Sequence, residues 1–186
     1  GAPKFDNLVF RYYKDNEAAV AALQKGEVSF VQNLTPAQAT SLSSAENIKV
    51  NDAPGRRFYA LATNPGAKAA NGKKFGTGDP SLLDQRVRNA LFLAIDRKTI
   101  IEKVFQGHAV NGEGYIPPRF APYYWEPSGD QEMSYDPAKA AKLLDEAGYE
   151  KNAEGKRLGK DGKPLNYRIL CHATDPQDKA VGKYLK

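Results

Sequence analysis

Cys171 and His172 are adjacent, and a thiol beside an imidazole has the residue types of a nucleophile and its base. They follow LNYRIL (165–170), which reads as a strand, and neighbours on a strand point to opposite faces. The pair therefore does not read as catalytic. The stretch LLDQRVRNALFLAIDRKTIIEKVF (82–105) raises the same question, because it sets two Asp, three Arg and two Lys beside an apolar stripe. Asp84 and Asp96 each precede a helical apolar pattern, as N-cap residues do. Arg86, Arg88 and Arg97 then read as solvent-facing or bracing groups rather than phosphate binders. Neither histidine has a partner ligand at helical spacing, and HExxH is absent. In NAEGKRLGKDGK, Lys156 and Arg157 stand where a calcium loop needs carboxylates. NGKKFGTGD (71–79) lacks the phosphate-loop pattern GxxxxGK[ST] and reads as a surface loop. The expectation is no catalytic residue, no metal and no cofactor.

The elements that position these residues follow from local signals. Residues 8–13 (LVFRYY) and 27–31 (EVSFV) read as strands flanking a helix that Asp15 caps and Gly26 ends, a parallel βαβ unit. Thr35, Pro36 and Gln38 form a capping box for a short helix. Residues 48–50 and 56–63 read as strands around a Pro54-Gly55 turn, and 64–80 as a long loop. Residues 82–105 carry Val87, Ala90, Leu91, Ala94, Ile95, Ile101, Val104 and Phe105 at helical spacing, with a junction at Asp96 and Arg97. YDPAKAAKLLDEAGY is a helix with an Asp136 cap and a Gly148 stop. A turn around Asp161-Gly162 and a last helix opened by Asp175-Pro176 complete the chain.

Bulk properties narrow the class. With 41% hydrophobic and 26% charged residues in 186, the chain is globular. No apolar run approaches the roughly 18 residues of a membrane span. The opening GAPKFDNLVF reads like mid-protein sequence, and the last helix stops within its apolar stripe, so a fragment of a larger protein is expected. The lone Cys171 excludes an intrachain disulfide. The net charge of +5 resides in residues 151–186, with nine basic and four acidic side chains. That tail keeps a basic nucleic-acid-binding module open as an alternative reading. The aromatics at 58–59 and 115–125 have the composition of a ligand cleft or of a core, and an Arg beside 58–59 suits a carboxylate or, equally, an edge strand guarded by charge.

The series FDNLVFRYYKDNEAAVAALQKGEVSFV, LLDQRVRNALFLAIDRKTIIEKVFQG, GYIPP and YDPAKAAKLLDEAGY resembles, in order and spacing, the peptide/nickel class of extracellular solute-binding proteins. These are the oligopeptide- and dipeptide-binding partners of ABC importers. The resemblance implies an α/β, periplasmic-binding-protein-like (type II) mixed sheet with flanking helices, here an incomplete fragment. It implies residues 1–50 as an interior segment of the first lobe and 51–186 as the start of the second. It implies capture of a peptide or other small solute for a permease, no catalysis and no nucleic acid. The location implied is extracytoplasmic, periplasmic or on the cell surface, with any membrane attachment through a lipid anchor outside this chain. The family's acidic partner for a peptide amino terminus is expected beyond Lys186. The ligand-binding positions it implies are Gln32, Asn33, Arg57, Phe58 and Tyr59, with His172 and Thr174 after the LNYRIL segment.

Overall fold

A computed structural model of the protein describes residues 4–53 and 55–186. Six α-helices carry the regular structure: α1 (Asn16–Gln24), α2 (Pro36–Leu42), α3 (Gln85–Leu93), α4 (Arg97–Lys103), α5 (Pro137–Glu146) and α6 (Pro176–Tyr184). Each begins where a side chain satisfies backbone N–H groups that have no partner inside the helix. Asp15 accepts from Ala18, Asp84 from Arg86, Asp96 from Thr99, Asp136 from Lys139, and Asp175 from Gln177 and Asp178. Thr35 and Gln38 exchange the two bonds of a capping box, at 3.2 and 2.9 Å. The junction inside 82–105 is present: α3 stops at Leu93 and α4 restarts at Arg97.

The strands differ from expectation. Residues 8–13, 27–31, 48–50, 56–63 and 165–170 carry neither helix nor strand ladder among the described residues. The only ladder there is a short antiparallel hairpin, β1 (Ala67–Lys68) with β2 (Lys74–Phe75), inside the segment read as a loop. The mixed sheet is therefore not formed within these residues, and the two flanks of α1 do not pair. The reason is physical: residue pattern favours an extended backbone, but a ladder needs a neighbouring strand in register. The Pro54-Gly55 turn includes Pro54, which lies outside the described residues. The turn at Asp161-Gly162 is present, closed by the bridge Leu158 to Pro164, with Gly162 at φ +76, and the bridge Lys151 to Arg157 closes a separate turn before it. In the 64–80 loop a side chain at Gly78 would lie 1.8 Å from the Gly66 nitrogen, so the two backbones approach this closely only because residue 78 is glycine.

The larger part of the core lies between α3 and α5, and a smaller buried group on α1 and α2 comprises Ala19, Ala22, Ala39 and Leu42. Val87, Ala90 and Leu93 of α3 are buried, as are Ala140, Ala147 and Tyr149 on or just past α5. Leu82, Leu144, Leu165 and Tyr167 close one end of this core and Met133 and Leu143 the other. Ala94, placed on the stripe from spacing, is exposed, because the helix ends one residue earlier and Leu93 takes the inward position.

The helix ends are pinned across the pair. Asp136 donates its N–H to the Leu93 carbonyl at 2.8 Å, joining the start of α5 to the end of α3. Arg86 reaches the Glu146 carbonyl at 3.2 Å from the opposite end. Arg86 also binds Asp84 through its side chain, at 2.7 Å, and through its backbone N–H, and these bonds hold the Asp84 carboxyl down to about 2.

Two outcomes follow. Leu93→Ala should cost about 2–5 kcal/mol, the range for emptying a buried leucine site, measured by urea denaturation; an unchanged midpoint would remove Leu93 from the core. Asp84→Asn keeps a capping oxygen but loses the ion pair. A folded-state value of about 2 against an ordinary value of about 3.9 means the carboxylate's stabilisation is full above about pH 4 and is lost as pH falls through about 2. The thermal midpoint of Asp84→Asn should therefore lie below wild type at pH 7, and the gap should close between about pH 4 and pH 2.

Candidate functional site

The segment after Gly55 has no ladder, so side chains hold it. Phe58 meets Tyr115 edge-on, with centroids 5.7 Å apart, and Tyr59 packs on Phe105 at 5.1 Å. Phe105 is buried just past α4, which anchors Tyr59 to the helical body. The Tyr59 hydroxyl donates to Asp175 at 3.2 Å, joining this segment to the start of α6. Burial, with the Asp175 carboxylate second, pushes the Tyr59 phenol above its ordinary range. Burial opposes ionisation of Asp175, yet the N–H groups of Asp178 and Gln177 and the Tyr59 hydroxyl outweigh it and hold the carboxyl low.

Two clefts meet at this segment. The larger, of ≈ 1860 Å³, runs past the end of α1, the 27–36 turn, the 45–61 segment, α4 and α6. The smaller, of ≈ 300 Å³, is lined by Arg57, Phe58, Tyr59, Ala60, His172, Asp175 and Asp178. The expected residues fall into this geometry as follows. Arg57, Phe58 and Tyr59 line both clefts, and His172 joins them in the smaller one. Gln32 and Asn33 line only the larger cleft. Asn33 sits at φ +59, a left-handed turn that asparagine tolerates, and its carbonyl accepts from Asn16 at the start of α1. Thr174 lines neither cleft, but its hydroxyl lies 3.1 Å from Nδ1 of His172 and so fixes that ring.

Asp175 and Asp178 were not among the expected site residues. Asp175 was legible as a helix cap, and its spacing of three from Asp178 put both in the first turn of α6. Asp178 accepts the backbone N–H of His172, which closes the 172–178 turn. Cys171 and His172 diverge: the thiol lines the larger cleft, and the imidazole faces the smaller. Gly182 of α6 leaves room for that thiol, since a Cβ there would lie 2.2 Å from Sγ of Cys171. Among the described residues no group of three or more His, Cys, Asp or Glu is placed to hold a metal ion. Three of the nine basic side chains of the tail are bonded internally. Arg157 bonds Asp145 and the carbonyls of Tyr149 and Ala141, Lys156 pairs with Glu154, and Arg168 bonds Thr77.

The whole chain, residues 1–186, matches the model of the middle part of the bacterial extracellular solute-binding proteins, family 5. The chain belongs to that family. The glutathione-binding protein GsiB of Shigella flexneri serotype 5b is 33% identical over 149 residues, covering 80% of this chain and 26% of that protein. The dipeptide-binding protein of Escherichia coli K12 is 33% identical over 150 residues, covering 80% and 25%. The chain thus spans about a quarter of the length of the curated relatives it matches. Its fold resembles lactococcal OppA, solved closed on an endogenous peptide, with a TM-score of 0.71 at 24% identity over 91% of this chain and 31% of that one. It also resembles NikZ of Campylobacter jejuni, solved with Ni(L-His), with a TM-score of 0.67 at 24% identity over 92% and 31%. Family membership favours solute binding over the nucleic-acid reading of the tail.

The contact between Cys171 and Gly182 gives a direct test of how the α6 wall is held. Gly182→Ala should destabilise by about 1–3 kcal/mol, the usual cost of overpacking. Cys171→Ala in the same chain should recover most of it, because removing Sγ vacates the space. Chemical denaturation of the four members of this cycle measures the coupling; additive effects would mean that the thiol does not pack on Gly182.

Proposed function

We propose that the protein captures peptides, or a related small solute, outside the membrane and delivers them to an ABC permease. The observation that supports this best is the larger cleft. At ≈ 1860 Å³ it exceeds the roughly 300–1,000 Å³ of sites built for one small molecule. Its walls combine aromatic rings with segments whose backbone N–H and C=O groups are not engaged in a ladder. An extended peptide binds well to such a surface, with main-chain bonds giving affinity and side-chain pockets giving selectivity. The names of relatives, which speak of glutathione and dipeptides, agree with that class.

In this reading Gln32, Asn33, Arg57, Phe58 and Tyr59 contact the solute, with His172 and Thr174 at the edge. The action is capture without bond-making. Residues 1–50 belong to a first lobe and 51–186 to a second, in a type II arrangement whose mixed sheet is completed by strands beyond the described ladder. Closure of the lobes on the solute then creates the surface a permease recognises. The protein acts in the periplasm or on the cell surface as a lipid-anchored protein.

Native mass spectrometry of the purified full-length protein tests this. The expected result is a co-purified adduct of peptide mass, displaced by an added dipeptide pool. A protein that carries no small solute and takes up none from the pool, or that carries only a nucleotide, would remove the reading.

A further inference from the structure

Among the described residues, Thr40 of α2 is the member of 4–50 whose hydrogen bonds leave that span. Arg11 pairs with Glu27, and Asn16 bonds Asn33, both inside it. The Thr40 hydroxyl instead donates to Oε1 of Gln106 at 2.9 Å, and its oxygen lies 3.4 Å from Nε2 of His108. Nδ1 of the same ring lies 2.8 Å from Asp52, in the segment that joins residues 1–50 to the rest. The four side chains thus form one line of contacts from α2, through the turn after α4, to the connecting segment. Gln106 is held in that turn at φ +50, a left-handed conformation that is costly for a side chain of its type.

The charge of the ring decides whether these contacts have enough protons. A threonine hydroxyl has one proton, and a neutral imidazole has one N–H. With Nδ1–H given to Asp52, Nε2 of neutral His108 is an acceptor. Thr40 then faces two acceptors, Nε2 and Oε1 of Gln106, with a single proton, and one contact goes unmade. An imidazolium donates from both nitrogens. Nδ1–H then goes to Asp52, Nε2–H to Thr40, and the Thr40 hydroxyl to Gln106, so every contact has a donor and an acceptor. Asp52 is the charged group bonded to the ring. α2 carries no charged residue. Glu46 and Lys49 precede Asp52 with opposite signs, as Glu102 and Lys103 do at the end of α4. Arg97 and Glu113 bond each other at 3.3 Å, and Tyr59, packed on Phe105, donates its hydroxyl to Asp175.

Resting on the two-lobe solute-capture reading, we infer that Thr40, Gln106, His108 and Asp52 form a proton-dependent latch that ties α2 of the first lobe to the turn after α4 in the second. The latch is complete when His108 is charged and loses one contact when it is neutral. An imidazole changes charge between about pH 5 and 8, so the latch tightens toward the acid end and slackens as pH rises. His108 and Asp52 also line the larger cleft, so the state of the latch bears on a wall of that cleft.

The test uses the full-length protein and hydrogen exchange of the backbone amides in 36–42 and 104–110, read by mass spectrometry. Wild type and variants are compared at the same pH, so the pH dependence of exchange itself cancels. The protection of wild type relative to His108→Gln should fall about 3- to 10-fold between about pH 5.5 and pH 8, the size of one net hydrogen bond. Thr40→Val removes both contacts of α2 and should abolish that pH dependence in 36–42. Gln106→Met removes the competing acceptor, leaves the hydroxyl free to serve either form of the ring, and should abolish it as well. A wild-type ratio that does not change with pH overturns the latch, as would happen if Gln106 turned its amide over and donated to Thr40. A pH dependence that survives in Thr40→Val or Gln106→Met overturns it too. Uptake of a dipeptide pool in native mass spectra of the same protein is a separate readout: a protein that takes up none overturns solute capture, whatever the exchange shows.

Discussion

The packing of α3 on α5 is the contact on which the rest of the chain depends. Alanines at 90, 140 and 147 let the two helices approach closely, and Val87 and Leu93 fill the seam. The helix ends are then crossed by hydrogen bonds, from Asp136 to Leu93 at one end and from Arg86 to Glu146 at the other. From this pair the structure spreads outward by named contacts. Arg157 ties the 150–165 turns to α5, and Leu165 and Tyr167 pack into the end of the core, with the Tyr167 hydroxyl 2.7 Å from Ser81. The segment that leads to His172 and α6 is therefore anchored in the same core. The opposite wall is reached through α4. Arg97 bonds the Met133 carbonyl and Glu113, and Phe105 just past α4 receives Tyr59. The cleft lies between two arms that start from a single helix pair.

Helices were legible in the sequence and strands were not, and the difference has a physical origin. A helix closes its hydrogen bonds within four residues, so Asp15, Thr35, Asp84, Asp96, Asp136 and Asp175 announce each start from local chemistry alone. A strand's bonds go to residues far away in the chain. Residues 8–13 have the composition of a strand, yet Leu8, Val9, Phe10 and Tyr12 are between 65% and 95% exposed, because no described segment lies in register to cover them. The same holds for Phe30 and Leu170 at the other expected strands. Their apolar faces are left uncovered among the described residues. The short hairpin at 67–75 is illegible in the sequence for the converse reason: two-residue strands leave no alternation to read.

The candidate site was partly legible. Arg57, Phe58 and Tyr59 share one segment, and a run of a cation and two aromatics beside a glycine carries its own signal. His172 entered through family resemblance, and the structure sets it beside them. Asp175 and Asp178 were hidden by their other duty, since a residue that caps a helix gives no sign that its carboxylate also faces a cleft. Gln32 and Asn33 lie along the larger cleft only, which separates the expected set into two groups that no spacing rule would have divided.

Charge is used in this chain by a consistent division of labour. Aspartates sit at helix starts, where backbone N–H groups need acceptors, and arginines sit where carbonyls at helix ends and turns need donors. Such use consumes the directional capacity of each group and leaves it little to offer a ligand. It explains how a stretch as charged as 82–105 lies outside the smaller cleft: Asp84 and Asp96 are caps, and Arg86, Arg88 and Arg97 hold carbonyls. Other charged groups stay out of that pattern: Lys25, Glu46 and Lys49 line the larger cleft without a side-chain hydrogen bond or ion pair among the described residues. In the smaller cleft the aspartates follow the pattern, while Arg57 makes no hydrogen bond or ion pair among the described residues and keeps its donors free of the fold.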